Sequence, residues 1–188
     1  MKEKLTLRNL LLCFVALFGL LVFIFSFVTN VKAFDKAGDW NGTYNSVIWG
    51  CKSMTVPYLG EVALPKPYGA LGLPLVGSIL VFVGALAAFC ISLLVKKEKA
   101  VRIVLVLVAV AMIAGGVFVM LTPLSLFNAL AERNAAESGL PLDKVKEAMK
   151  AAGGSLSSSL AIVSGILAIL GGIAACVSVF FGEKKLVK

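Results

Sequence analysis

Histidine is absent from this chain of 188 residues. With it go the Ser–His–Asp triad, the Cys–His pair and the common histidine metal sites. Acidic side chains number only ten, and charged residues make up 15% of the chain, against about a quarter in an ordinary soluble domain. The four cysteines, Cys13, Cys51, Cys90 and Cys176, fall in four separate segments, so no pair has metal-ligand spacing. The glycines are scattered and do not cluster between a strand and a helix, which excludes a phosphate-cradling loop. No groove-reading or base-stacking module is present either, which excludes a nucleic-acid partner. The sequence offers no catalytic constellation, cofactor site or metal site.

Charge is missing altogether from four long runs: Leu10–Val28, Leu71–Val95, Ile103–Leu121 and Leu156–Phe181. At about 1.5 Å per helical residue, each can cross about 30 Å of hydrocarbon. Hydrophobic residues make up 60% of the chain, above the 45–50% or so of a soluble domain. The fold class expected is an all-α integral membrane protein, a single membrane domain of four transmembrane helices over 10–28, 71–95, 103–121 and 156–181. A first external loop (29–70) and a second (122–155) form a small cap, with lipid as the surrounding partner.

The basic residues set the expected orientation. Lys2, Lys4 and Arg8 precede the first run; Lys96, Lys97, Lys99 and Arg102 crowd the link between the second and third; Lys184, Lys185 and Lys188 follow the fourth. These ten face only Glu3, Glu98 and Glu183, whereas the other loops hold eight basic and seven acidic residues. Short basic loops stay on the cytoplasmic side, so both termini are expected inside, in the cell membrane. Val31-Lys32-Ala33 also resembles a secretory cleavage site. The preceding run of 19 residues or so exceeds the 7–15 of a signal core, and an uncleaved first helix is expected.

The runs differ in side-chain size. The first is rich in Phe and Leu. The second carries Gly77, Gly84, Ala88 and Ser92, and the third Ala109, Ala111, Gly115 and Gly116. In the fourth, Ser164, Ala168, Gly172 and Cys176 recur every four residues, beside Ser157, Ala161 and Gly165. Such ladders let helix backbones approach closely. The expectation is packing within the bundle, with a homo-oligomer or partner-helix interface as the alternative. The three intramembrane cysteines are read as small packing residues.

Every Trp and Tyr lies in the first loop: Trp40, Tyr44, Trp49, Tyr58 and Tyr68. Rings of this kind favour the membrane interface and can give a tiny ectodomain its core. They also form the candidate contact surface for a protein, glycan or lipid headgroup. Val47-Ile48-Trp49 and Met54-Thr55-Val56 are β-prone, with breakers around them, and predict a hairpin or three-stranded patch. In the second loop Thr122-Pro123 reads as an N-cap with proline at the first helical position. A helix from Pro123 to Ser138 should end at Gly139, and a second should run from about Pro141 to Ala152. Ser157-Ser158-Ser159 reads as hydroxyl caps at the start of the fourth helix, or as the polar mouth of a pore.

Remaining candidates for chemistry are few. Asp35, Asp39 and Glu61 are read as solvated acids, with a calcium site as the alternative, although the ligand order of an EF-hand is absent. Cys51 is a buried core residue, a free thiol or an intermolecular bridge. Asn41-Gly42-Thr43 fits the N-glycosylation sequon.

Four spans with internal termini, and a larger first external loop bearing Trp40 and Ile48-Trp49-Gly50-Cys51, resemble the claudin-type tetraspan proteins. That family carries a fuller tryptophan–glycine–leucine–tryptophan pattern and a pair of loop cysteines, where this loop has one. The function expected is that of a non-enzymatic multi-pass protein acting through protein or envelope contacts. The alternative is a channel or transporter component, self-associating or as a small subunit, in which backbone near Gly115-Gly116 or Gly171-Gly172 would meet ions.

Overall fold

The structure, a computed structural model, describes residues 7–94 and 98–181. Most basic residues of the expected cytoplasmic clusters (Lys2, Lys4, Lys96, Lys97, Lys184, Lys185 and Lys188) lie outside the described residues. So does Val95, the last residue of the expected second span.

Among the described residues six helices account for 66%: α1 (Leu7–Val28), α2 (Gly72–Leu94), α3 (Glu98–Met120), α4 (Thr122–Ser138), α5 (Leu142–Ala151) and α6 (Ser159–Ser178). Four of them, α1, α2, α3 and α6, are long and apolar enough to cross a membrane. Beside the helices the described residues form five strands, β1 (Val31–Phe34), β2 (Trp40–Tyr44), β3 (Ser53–Val56), β4 (Gly60–Ala63) and β5 (Ser155–Ser157), a larger sheet than the hairpin or three-stranded patch expected in the first loop. The chain divides into two compact units, one of residues 1–24, 76–119 and 163–188, the other of 25–75 and 120–162.

The first unit is helical, and its helices meet where side chains are smallest. A Cβ on Gly77 of α2 would stand 2.6 Å from the Gly115 carbonyl oxygen of α3, and one on Gly115 equally close to the Gly77 oxygen. Gly116 meets the Gly165 carbonyl of α6 at 2.8 Å on the same construction, while Gly19 of α1 packs on Ala85 of α2. Along α6 the buried positions are Ala161, Ser164, Gly165, Ala168, Gly171, Gly172, Ala175 and Ser178, a mixed spacing of three and four. A strict four-residue ladder turns about 40° per step around a helix of 3.6 residues per turn. Ser164, Ala168 and Gly172 therefore stay in the seam, whereas Cys176 leaves it and is exposed, and Ala175 takes its place. Cys13 and Cys90 are exposed as well. Larger side chains such as Leu12, Val15, Leu105 and Met112 fill the rest of the interior.

The second unit holds an antiparallel sheet in the order β4-β3-β2-β1-β5. Met54-Thr55-Val56 forms β3 as its β-propensity predicts. Val47-Ile48-Trp49 does not form a strand. Ser46 takes a φ of +51° and Gly50 one of +129°, so the chain folds back on itself between them. Val47 and Ile48 are then fully buried. The segment's backbone bonds go elsewhere: Val47 donates to the Thr29 carbonyl, and Leu71 donates to that of Ile48. Ala33, the expected cleavage point, lies inside β1 with Gly42 on one side and Leu156 on the other.

α4 opens one residue earlier than expected, with Leu121 at its cap and Pro123 in its first turn, and closes at Gly139 in the left-handed conformation (φ +68°). α6 starts at Ser159, not at Leu156, because Ser155–Ser157 is taken up by β5. Ser158 supplies the hydroxyl cap, accepting from the Ala161 N–H at 3.3 Å.

Gly115→Ala places a methyl group against a backbone that has no side chain to swing away. Thermal unfolding in detergent should show a loss of about 1–3 kcal/mol, the usual scale of overpacking. Gly69→Ala, with nothing within 4 Å of the new methyl, should change stability by less than about 0.5 kcal/mol. Equal melting temperatures for the two variants would mean that α2 and α3 do not meet at this point.

Candidate functional site

The five aromatic residues of the first connecting segment divide by what holds them. Trp49 is an anchor. Its indole Nε1–H donates to Ser26 Oγ at 2.7 Å, and its ring stacks on Phe27 with centroids 4.7 Å apart and planes 4° from parallel. Both partners sit in the last turn of α1, so the indole satisfies its polar edge and covers its apolar face in one placement.

Tyr44 and Tyr68 form the second group. Their rings meet edge to face at 6.3 Å, and the Arg133 guanidinium of α4 lies over the Tyr68 ring at 5.0 Å. Arg133 also donates to the Lys66 carbonyl at 2.9 Å and to Glu137 Oε1 at 3.1 Å, while Lys66 Nζ reaches the same carboxylate at 3.2 Å. The stretch around Lys66–Tyr68 is thereby tied to α4. The hydrogen bond from Arg133, then the hydrogen bond and charge of Lys66, hold the Glu137 carboxyl below its ordinary range. The same hydrogen bond raises the Arg133 guanidinium. Burial pushes the Tyr44 phenol up, and the neighbouring Tyr68 and Cys51 act in the same direction.

Cys51 lies in this core and is unpaired. Its Sγ is 3.2 Å from the Ser53 carbonyl oxygen. Burial raises the thiol above its ordinary value, against the pull of the Asn45 and Ser53 backbone. Of the three readings open to the sequence, the structure takes the buried one.

Trp40 and Tyr58 are the remaining rings. Trp40 is 41% exposed and donates its Nε1–H to Thr43 Oγ1 at 3.1 Å. Tyr58 is fully exposed at the tip of the β3–β4 hairpin, and Leu59 beside it is 75% exposed. The Leu59 N–H closes that turn on the Val56 carbonyl at 3.3 Å. Tyr58 follows Pro57 and takes a φ of +67°, in a turn place where glycine or asparagine is usual. A non-glycine residue there costs on the order of 1–3 kcal/mol. All of β4 is exposed, Val62 included. Leu59 and Val62 were not among the sequence candidates, because the aromatic count drew the reading to rings alone. The Pro57–Gly60 turn signal was the available clue.

The three acids of the first segment have separate structural partners. Asp35 accepts from the Asp39 N–H at 2.9 Å and so closes the β1–β2 connection. Glu61 on β4 accepts from Ser53 and from Asn45. Among the described residues no three His, Cys, Asp or Glu side chains gather as a metal site would require.

The pH dependence of the Lys66–Glu137–Arg133 contact has a defined sign. A carboxyl held below its ordinary value of 4.5 stabilises the fold above that value and loses the contribution as pH falls through the lowered folded one. The melting-temperature gap between the native chain and Glu137→Gln should be present at pH 7 and shrink below pH 4.5. A gap of constant size across that range would remove Glu137 from the contact.

No protein-family model matches the chain, and no curated protein matches it.

Proposed function

We propose that this is a non-enzymatic four-span protein of the cell membrane, with cytoplasmic termini, which acts through protein contacts made by its external face. The observation that carries the reading is the β3–β4 tip. An aromatic side chain is held fully exposed by left-handed backbone, next to an exposed leucine and an uncovered edge strand. Strain and apolar exposure at one point cost free energy, and a contact that covers Tyr58 and Leu59 offsets that cost. On this reading Trp49, Tyr44 and Tyr68 are the support, and Tyr58, Leu59 and Val62 are the contact, with Trp40 at the margin.

The interior of the helical unit supports the same reading over a pore. Among the residues whose burial is described, its buried polar side chains are Ser78, Ser164 and Ser178, set among Leu, Val, Met, Ala and Gly. The apolar outer faces of α1, α2, α3 and α6, with side chains such as Leu17, Val83, Leu107 and Ile166, belong against lipid.

A photo-crosslinking side chain in place of Leu59 should capture a membrane or envelope protein, or a second copy of this chain. Tyr58→Ala should then lower recovery of that protein by about thirtyfold, as loss of an interface aromatic of about 2 kcal/mol would give. Undiminished recovery from Tyr58→Ala, or solute-specific flux from the reconstituted protein, would overturn the proposal.

A further inference from the structure

Asn41-Gly42-Thr43 is the one Asn-x-Ser/Thr tripeptide in the chain, and the sheet gives it an unusual position. β2 pairs with β1 through Lys32↔Thr43 and Ala33↔Gly42, and then the register shifts so that Phe34 faces Trp40. Asn41 is the extra residue of a β-bulge, with no partner on β1. A bulge residue stands outside the ladder and can be re-aimed without breaking the pairing on either side. The Asn41 side chain is exposed, and among the described residues its amide has no hydrogen-bond partner.

The bulge also lies at the right end of the sheet. β1 leaves α1 at Val31, opposite Tyr44, and reaches Phe34 opposite Trp40, about 10 Å further on at about 3.3 Å per strand residue. Trp49, with Ser26 and Phe27, marks the end beside α1. Asn41 sits at the other end of β2 and is exposed there.

We infer that Asn41 is an acceptor for an N-linked glycan, donated by a lipid-pyrophosphate-linked oligosaccharide. The Asn41 side-chain nitrogen forms a bond to the anomeric carbon of the first sugar and loses one proton. The bond from that carbon to the pyrophosphate oxygen breaks, and the lipid pyrophosphate leaves with the electron pair. Thr43, two residues on, supplies the hydroxyl that defines the acceptor sequence. The inference rests on the orientation proposed above, in which residues 29–70 face away from the cytoplasm.

The test uses the full chain expressed in cells that carry out N-glycosylation, followed by N-glycosidase treatment and electrophoresis. The native chain should run as a single glycoform that the glycosidase collapses to the mobility of Asn41→Gln. Thr43→Ala should match Asn41→Gln, and Thr43→Ser should keep the glycan. Ala136→Asn, built on the Asn41→Gln background, creates an acceptor sequence ending at Ser138 on an exposed face of α4 and reports the orientation independently. If that reporter is glycosylated and the native chain is not, the Asn41 site is overturned and the orientation stands. If neither is glycosylated, the orientation falls, and the site with it.

Discussion

Two residues, Thr29 and Asn30, separate the end of α1 from β1, and together they take part in four hydrogen bonds. The Thr29 hydroxyl donates back to the Phe25 carbonyl of α1 at 2.8 Å, and the Thr29 carbonyl accepts from Val47 at 2.9 Å. Asn30 accepts from the Ser46 N–H through its side chain at 2.9 Å, and from the Ser158 hydroxyl through its carbonyl at 2.6 Å. Each such bond is worth about 0.5–1.5 kcal/mol net, and they tie the end of α1 to the Ser46–Val47 turn and to Ser158. The Val47 turn, the cap of α6 and the start of β1 are placed by this junction. Once β1 is placed, β2 and β5 have their edges to pair with, and the far strands β3 and β4 follow by hairpin.

The helical unit is built on a different constraint. Helices that share an apolar environment gain little from hiding hydrophobic side chains from one another, and close packing has to supply the contact. That explains why the glycines lie where backbones meet: Gly77 with Gly115, Gly116 with Gly165, Gly19 with Ala85. It also explains why the buried positions of α6 alternate between steps of three and four. A seam between helices that cross at a small angle follows a period near 3.5 residues, and a run of fours leaves it after three steps.

These two constraints account for what could be read in the sequence. The long charge-free runs are local signals, as are Gly139 at the end of α4 and Ser158 before α6, and all of them have counterparts in the structure. β1 and β5 give no such signal. Val31-Lys32-Ala33-Phe34 looks like a processing site, and Ser155-Leu156-Ser157 looks like the entrance to a helix. Each becomes a strand through a partner its own segment does not contain: β5 pairs with β1, more than a hundred residues away, and β1 lies between β5 and β2. The same holds in reverse for Val47-Ile48-Trp49, whose β-propensity loses to the burial of Val47 and Ile48 and to the indole's place against Ser26. Strand propensity measures fit to a surface that other strands provide, and a single segment does not carry that information.

The aromatic residues show how far composition goes toward a site. Concentration of every Trp and Tyr in one segment marks that segment as special, but it does not sort rings that hold the fold from rings left over. Partners do the sorting. Trp49 has Ser26 and Phe27, and Tyr68 has Tyr44 and Arg133. These partners give each of the rings a place in the fold. Tyr58 stays fully exposed at a backbone angle its side chain disfavours, although a glycine would relieve the turn and bury nothing less. Pro57 fixes the approach to that turn, and Ser53 and Asn45 hold Glu61 on the strand behind it. The hairpin is therefore braced from within while its apolar tip is left uncovered. On the function proposed above, that combination is what makes the tip a contact surface and not a loose loop.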